Sequence, residues 1–539
     1  QETYGEDSFL LGEMGAALVR GTGRHVLSCV KHFAVNSMEN SRLWVDVKVD
    51  ERDLRDIYLP HFRRCLDEGA ESVMSAYNGV NGDRCGHSRW LLTDVLKDEW
   101  GFDGFVMSDF TFGISSATRA VNAGMDLEMP YRALFAGLRR LVRTGRVPGS
   151  RVRDAAARMV RAQLRAQRKG EPDRYQSAVV AGPEHRALAR EAAARSVVLL
   201  RNEPVQRGDQ VAPVLPFDPN VVRSIAVVGA LASVANRGDL GSSQVHPPEV
   251  ATVLDGLLAA GEGAGIAVRY TDGSDLADTA SVVESCDVAV VVVGHTFRDE
   301  GEWIIRAGGD RSSLELRTED VSLIGSVARR NPRTVVLLMG GSAIVTDRWH
   351  HLIPALAMVW YPGMEGGHGI ADVLFGAVPP QGRLPLTWPG SSTALPPFDR
   401  FCRRTTYGPL HGYRMMEATR QRPSFPFGYG LGYGPEVWGT PSIVSVEANA
   451  TGSDRSVTVA VDVRAAGDRD VVAVVQVYVP EVLGSHPEPL RTLRGVGRAT
   501  VRAGASETVA VTCSVPDGVD EVFVGRSSAA DDLVSVPLG

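Results

Sequence analysis

The run Val288-Ala289-Val290-Val291-Val292-Val293 constrains this chain more than any other stretch. Small and β-branched apolar residues with no polar alternation do not make a strand with one wet face. They fit a central strand of a parallel sheet, covered by helices on both sides. Further short apolar runs stand around it at 196–200, 225–228, 267–270, 334–339 and 355–360, separated by helical patterns. Alternating βα units imply an open, doubly wound sheet, and its expected extent is 186–395.

The first 168 residues alternate in the same way. Helices are expected at 7–22, where Leu10, Met14 and Leu18 have helical spacing, and at 51–68, 88–100, 112–123, 131–144 and 150–168. Strands are expected at 26–30, 71–77, 105–107 and 125–128. The polar segment 169–185 has the composition of a linker. A connecting segment, 396–439, is rich in Pro, Gly and aromatic residues. From 440 to 539 the period becomes two, as in Val457-Thr458-Val459-Ala460-Val461-Asp462-Val463, which implies an antiparallel β-sandwich. The expected fold class is therefore multidomain, α/β followed by all-β.

Composition excludes some partners. Net charge is −7 over 539 residues, with no dominant charge block, so neither nucleic acid nor an anionic membrane is expected. No apolar run reaches the roughly 18 residues of a membrane span. The six cysteines are dispersed and form no C-x-x-C pair. Reduced thiols are expected, with no disulfide framework or zinc site, and a cytoplasmic rather than a secreted protein. No metal or organic cofactor is expected, and a homo-oligomer is allowed.

Residues able to do chemistry gather at the C-terminal ends of successive strands of the first part: Lys31-His32, Tyr77-Asn78, Asp109 and the segment 125–129. A barrel collects such ends around one pocket. From its own stretch Asp109 has two readings, an N-cap of the next helix or a catalytic carboxylate. The neighbouring strand ends favour the pocket. A second acidic cluster, Asp299-Glu300-Gly301-Glu302-Trp303, follows the valine strand, with Asp310-Arg311 beyond it. It reads either as a solvated loop or as a loop reaching over the first pocket. Glycoside hydrolysis needs two carboxylates flanking the bond, one of them protonated. Asp109 could be the nucleophile and Glu300 the acid.

The chain resembles glycoside hydrolase family 3. The resemblance is carried by KHFAVNSMENSR (31–42), MSAYNGVNG (74–82), GFDGFVMSDF (101–110), GDLGSS (238–243), EGEW (300–303), YPGMEGGHGIADVLFG (361–376), GRLPLTWP (382–389) and FPFGYGLGYG (425–434), in the family's order. It implies a TIM-type (β/α) barrel, an α/β sandwich with a mostly parallel sheet, and a C-terminal fibronectin type III-like domain. It also implies roles. Asp109 matches the nucleophile. Lys31 and His32 match residues that bind the sugar, Glu39 and Arg42 match the following E-x-x-R, and Tyr77 matches a tyrosine beside the nucleophile. Glu300 matches the acid/base, with Glu302 as runner-up. Trp303 and Phe110 are expected at the substrate. Phe110 stands where the family usually has Trp, which alters the platform for the leaving group. The K-H-F-A-V-N stretch departs from the motif of the family's N-acetylglucosaminidase branch. The family has further barrel strands ahead of the E-T-Y-G-E-D stretch in which this chain begins, so 1–168 is expected to supply only part of a barrel.

The implied activity is that of a retaining, exo-acting β-glycosidase, a β-glucosidase acting on β-linked oligosaccharides or aryl and alkyl β-glycosides through a covalent glycosyl-enzyme. The two carboxyls are then expected about 5–5.5 Å apart. The alternatives are a β-xylosidase or arabinosidase of the same family, or a truncated, catalytically silent carbohydrate-binding protein.

Overall fold

The computed structural model of the chain describes residues 3–169, 175–207, 210–239, 241–303, 307–448 and 454–539. Part of the expected linker, 170–174, and Leu240 of the GDLGSS stretch lie outside the described residues.

The helix Ser8–Thr22 opens the described chain, and Asp7 caps it by accepting from the Leu10 amide at 3.0 Å. Its buried stripe is Ser8, Gly12, Ala16 and Val19, whereas Met14 and Leu18 face outward. The small residues win because the helix lies close to its neighbour Pro60–Asp67: a Cβ on Gly12 would stand 3.1 Å from Arg64 Cβ. Of the face that hydrophobic spacing pointed to, only Leu10 is packed, against the cluster of Tyr413, Phe427, Tyr478 and Leu493.

Short strands follow: β1 Cys29–Phe33, β2 Asp46–Val49, β3 Ser72–Ser75, β4 Gly79–Val80, β5 Asp83–Arg84 and β6 Phe105–Met107. β1, β3 and β6 form a parallel sheet in that order, extended by a single bridge from Met107 to Leu127. The strand expected at 125–128 is reduced to this bridge. Val30, Val73 and Val106 face the helices, joining a core with Phe33, Leu91, Leu92 and Leu96. On β1 the alternate residues Cys29 and Lys31 are exposed, and β1 is the sheet's edge among the described residues. The helix expected at 112–123 begins only at Ala117, capped by Ser116. Asp109 is therefore no helix cap.

The second sheet is built from β7 Val198–Asn202, β10 Ser224–Val228, β11 Ala267–Thr271, β12 Val288–Gly294, β13 Thr334–Met339 and β14 Ala355–Met358; between β7 and β10, β8 Pro204–Arg207 and β9 Gln210–Pro213 pair with each other. Strand order is β11-β10-β12-β13-β14-β7. All neighbours are parallel except β7, which lies antiparallel on β14 at the edge. The valine strand β12 is interior and wholly buried. Val288, Val290 and Val292 enter one core, and Ala289, Val291 and Val293 the other. Burial on both faces is why the strand carries no alternation.

β15 Arg404–Tyr407, from the connecting segment, runs parallel to β2 and completes the sheet β15-β2-β4-β5. The chain thus returns to its first part before entering the last. There, β16 Glu436–Trp438, β17 Ser442–Ala448, β18 Asp454–Ala465 and β21 Ser506–Pro516 form one antiparallel sheet, and β19 Val471–Glu481, β20 Leu490–Val501, β22 Glu521–Gly525 and β23 Leu533–Pro537 another. Val457, Val459, Val461 and Val463 meet Val475, Val477 and Val479 in the shared core, as period-two patterning requires.

A buried polar knot ties these parts together. Asp7 Oδ2 accepts from Tyr413 Oη at 2.7 Å and from Arg414 Nη1 at 3.3 Å, and Tyr413 Oη in turn accepts from the Leu493 amide.

Candidate active site

Asp109 lies just beyond the C-terminal end of β6. The strand end is held by Ser108, whose amide donates to Leu127 O at 2.9 Å and whose hydroxyl accepts from the Met129 amide at 2.9 Å. Asp109 is buried, and its Oδ1 accepts from the Phe110 amide at 2.7 Å. Oδ2 makes no hydrogen bond among the described residues and faces His32 Nε2 at 3.5 Å. Burial pushes the carboxyl above the usual aspartate range, while His32, the Phe110 amide, Tyr77 and Lys31 oppose that shift by favouring the charged form. The Tyr77 hydroxyl donates to Phe110 O at 2.8 Å, and burial together with the Asp109 charge raises its own pKa. Lys31 and His32 within β1 and Tyr77 after β3 thus act on one carboxylate, that of Asp109 after β6.

The acidic loop after β12 splits its two glutamates. Glu300 turns into its own unit. Its Oε1 accepts from the Gly341 amide and from Tyr361 Oη at 2.7 Å, and Oε2 pairs with Arg311 Nε at 3.2 Å. The side chains of Glu300 and Arg311 are only 5% and 7% exposed. Both oxygens of Glu300, the expected acid/base, are thus engaged in a buried cluster with Gly341, Tyr361 and Arg311.

Glu302 turns the other way. Arg42 Nη2 lies 3.4 Å from its Oε1, and the Ser242 amide donates to Oε2. The Arg42 guanidinium stands over the Tyr77 ring, 5.8 Å from its centre, so Glu302, Arg42, Tyr77 and Asp109 form one continuous set. The Glu302 backbone is fixed by Asp239, whose Oδ1 accepts from the amides of Gly241 and Glu302 at 2.9 and 2.7 Å. Arg42 Nη1 also donates to Glu39 Oε1, and Glu39 Oε1 accepts from the Trp303 amide at 2.9 Å. Glu39 is therefore an orienting group between two loops.

Aromatic side chains rim this set. Phe110 and Phe112 are 46% and 59% exposed, and the Trp44 and Trp303 rings meet edge to face at 6.4 Å. Among the described residues no group of His, Cys, Asp and Glu could hold a metal ion, and no helix is long and apolar enough to cross a membrane.

Sequence reasoning passed over Asn40, Asp239 and Tyr361, although each falls in a quoted stretch. Their role is to bind backbone or a neighbouring carboxylate, which residue type alone does not announce.

Residues 1–162 match the glycosyl hydrolase family 3 N-terminal domain, and residues 197–433 match the family's C-terminal domain. The chain belongs to glycoside hydrolase family 3. It is similar to the thermostable beta-glucosidase B of Acetivibrio thermocellus, with 32% identity over 562 residues covering 98% of this chain and 71% of that protein. It is also similar to the exo-alpha-(1->6)-L-arabinopyranosidase of Bifidobacterium longum, with 31% identity over 532 residues covering 95% of this chain and 67% of that protein. In structure it resembles the beta-D-glucoside glucohydrolase of Trichoderma reesei, with a TM-score of 0.88, 25% identity, and coverage of 99% and 82% of the two chains. As a family 3 glycoside hydrolase, the chain is an enzyme acting on glycosidic bonds.

Proposed function

We propose that the chain is a retaining, exo-acting β-glucosidase in which Asp109 is the nucleophile and Glu302 the acid/base. One observation carries the reading: the oxygen of buried Asp109 that makes no hydrogen bond among the described residues faces His32, Tyr77 acts on the same carboxylate, and Glu302 reaches this set through Arg42. In this reading, Asp109 Oδ2 attacks the anomeric carbon while the bond to the leaving oxygen breaks and Glu302 gives that oxygen its proton. Water then attacks the same carbon, Glu302 takes a proton from it, and the Asp109 carboxylate departs. The Phe110 amide holds Oδ1 and so aims Oδ2 at the sugar. Lys31 and His32 hold sugar hydroxyls, Arg42 spans sugar and Glu302, and Phe110 and Trp303 flank the leaving group.

The proposal includes the finer fold labels. Residues 1–168 are read as part of a (β/α) barrel, 186–395 as the α/β sandwich, and 440–539 as a fibronectin type III-like domain. The separate cores of the three parts support this division.

A panel of p-nitrophenyl β-D-glucoside, β-D-xyloside and α-L-arabinopyranoside tests the function. The arabinoside belongs in it because a relative carries that name. Hydrolysis of the glucoside with retained configuration, abolished by Asp109→Asn, is the expected result. Sugar binding without turnover on any of the three would overturn the reading in favour of a carbohydrate-binding protein.

A further inference from the structure

Glu302 stands on a loop whose two ends meet. The Gly309 amide donates to Gly301 O at 2.6 Å and the Gly308 amide to Arg298 O at 3.0 Å, which closes a neck beneath Glu302. Gly308 and Gly309 have φ of +73° and +92°, where L side chains are strained. A Cβ on Gly309 would also stand 2.4 Å from Asn40 Oδ1. The glycines let the neck press against the loop that follows β1.

Asp310 locks that contact. Both its carboxylate oxygens accept from the Glu39 amide at 3.0 Å, and Oδ2 also accepts from the Asn40 amide at 2.8 Å. In return the Asp310 amide donates to Asn40 Oδ1 at 2.5 Å. Arg400 Nη1 donates to Asp310 O at 3.1 Å, adding a tie from the connecting segment. The segment that receives Asp310 is the continuation of β1, which carries His32 to Asp109. One stretch of backbone is thus the common reference for the nucleophile's surroundings and for the loop bearing Glu302.

We infer that Asp310 is a positioning residue that sets Glu302 against Asp109 across the junction of the two sheets. The inference rests on the reading of Glu302 as acid/base. Asp310 touches no reacting atom; it acts through the loop neck.

A misplaced acid/base has a signature that general loosening lacks. Leaving groups that need no proton are spared, and azide, which needs no base, replaces water. Azide attacks the anomeric carbon of the glycosyl–Asp109 ester, forming a C–N bond as the C–O bond breaks and the Asp109 carboxylate leaves. Asp310→Ala, Gly309→Ala and Glu302→Ala are compared on methyl and 2,4-dinitrophenyl β-glucosides, with and without sodium azide. Since positioned acid–base groups contribute roughly 10²–10⁴-fold, Asp310→Ala and Gly309→Ala should cut kcat/KM on the methyl glucoside about 10- to 100-fold, with about 3-fold or less on the dinitrophenyl glucoside. On the dinitrophenyl glucoside, where breakdown of the glycosyl-enzyme limits kcat, azide should raise kcat and give β-glucosyl azide. Gly309→Ala keeps the carboxylate, so the same signature from both variants separates positioning from loss of one side chain. Equal losses on the two substrates with no azide product, while Glu302→Ala shows both signatures, would overturn the role of Asp310. Absence of the signatures in Glu302→Ala would overturn the assignment of Glu302, and this inference with it.

Discussion

Two glutamates separated by a single glycine should fail in opposite ways. Glu300→Gln removes the charge that balances Arg311 in a site where both side chains are almost wholly buried. Breaking a buried pair from one side costs about 3–5 kcal/mol, because the remaining charge is left uncompensated. On a unit of about 200 residues that corresponds to a fall in Tm of roughly 6–20 °C. Residual folded enzyme should keep its preference among leaving groups and should not respond to azide. Glu302 is more exposed, its side chain at 25%, and its contact to Arg42 is long at 3.4 Å. Glu302→Gln should therefore change stability by only about 1 kcal/mol, while the lost proton transfer cuts turnover of an alkyl glucoside roughly 10²–10⁴-fold. Differential scanning fluorimetry and steady-state kinetics on the same preparations read both effects. A Glu300→Gln enzyme with unchanged Tm, azide-dependent turnover and a still active Glu302→Gln partner would refute the assignment.

Three further outcomes follow from the geometry. Because burial raises the Asp109 pKa above its unfolded value, ionised Asp109 destabilises the folded state at neutral pH and does so less as pH falls towards the ordinary aspartate range of about 3.9; Asp109→Asn should raise Tm at pH 7, with the gain shrinking towards pH 4.5, and a loss of stability at pH 7 would contradict burial as the dominant cause. The acid limb of kcat/KM in the parent enzyme should likewise lie above about 3.9, read from its pH profile. Asp7→Ala strands Arg414, which is 1% exposed, and should cost about 3–5 kcal/mol in thermal or urea unfolding. Phe110→Ala should raise KM about 2- to 12-fold for aryl glucosides, the worth of about 0.5–1.5 kcal/mol of ring contact, and leave methyl glucoside nearly unchanged.

The sequence alone determined the layers. A strand of valines with no alternation has no wet face, so β12 had to lie inside a covered parallel sheet. Strict alternation from Val457 to Val463 has one wet face, so that segment had to pair antiparallel over a single core. Lys31-His32, Tyr77 and Asp109 were legible as a group because strand ends of a parallel sheet converge whatever the loops do. Tertiary structure decided what depends on partners remote in the chain. The face that the helix Ser8–Thr22 buries was set by the close approach of Arg64, which favours Gly12 and Ala16 over Met14 and Leu18. β15 joined β2 across more than three hundred residues, a pairing no local pattern announces. Glu300 and Glu302 share one short acidic loop and one residue type. One is buried against Arg311 and Tyr361 and the other meets Arg42 and Ser242, partners that lie far off in the chain or in another loop. Charge and propensity are properties of a residue; the direction in which a carboxylate points is a property of what has folded around it.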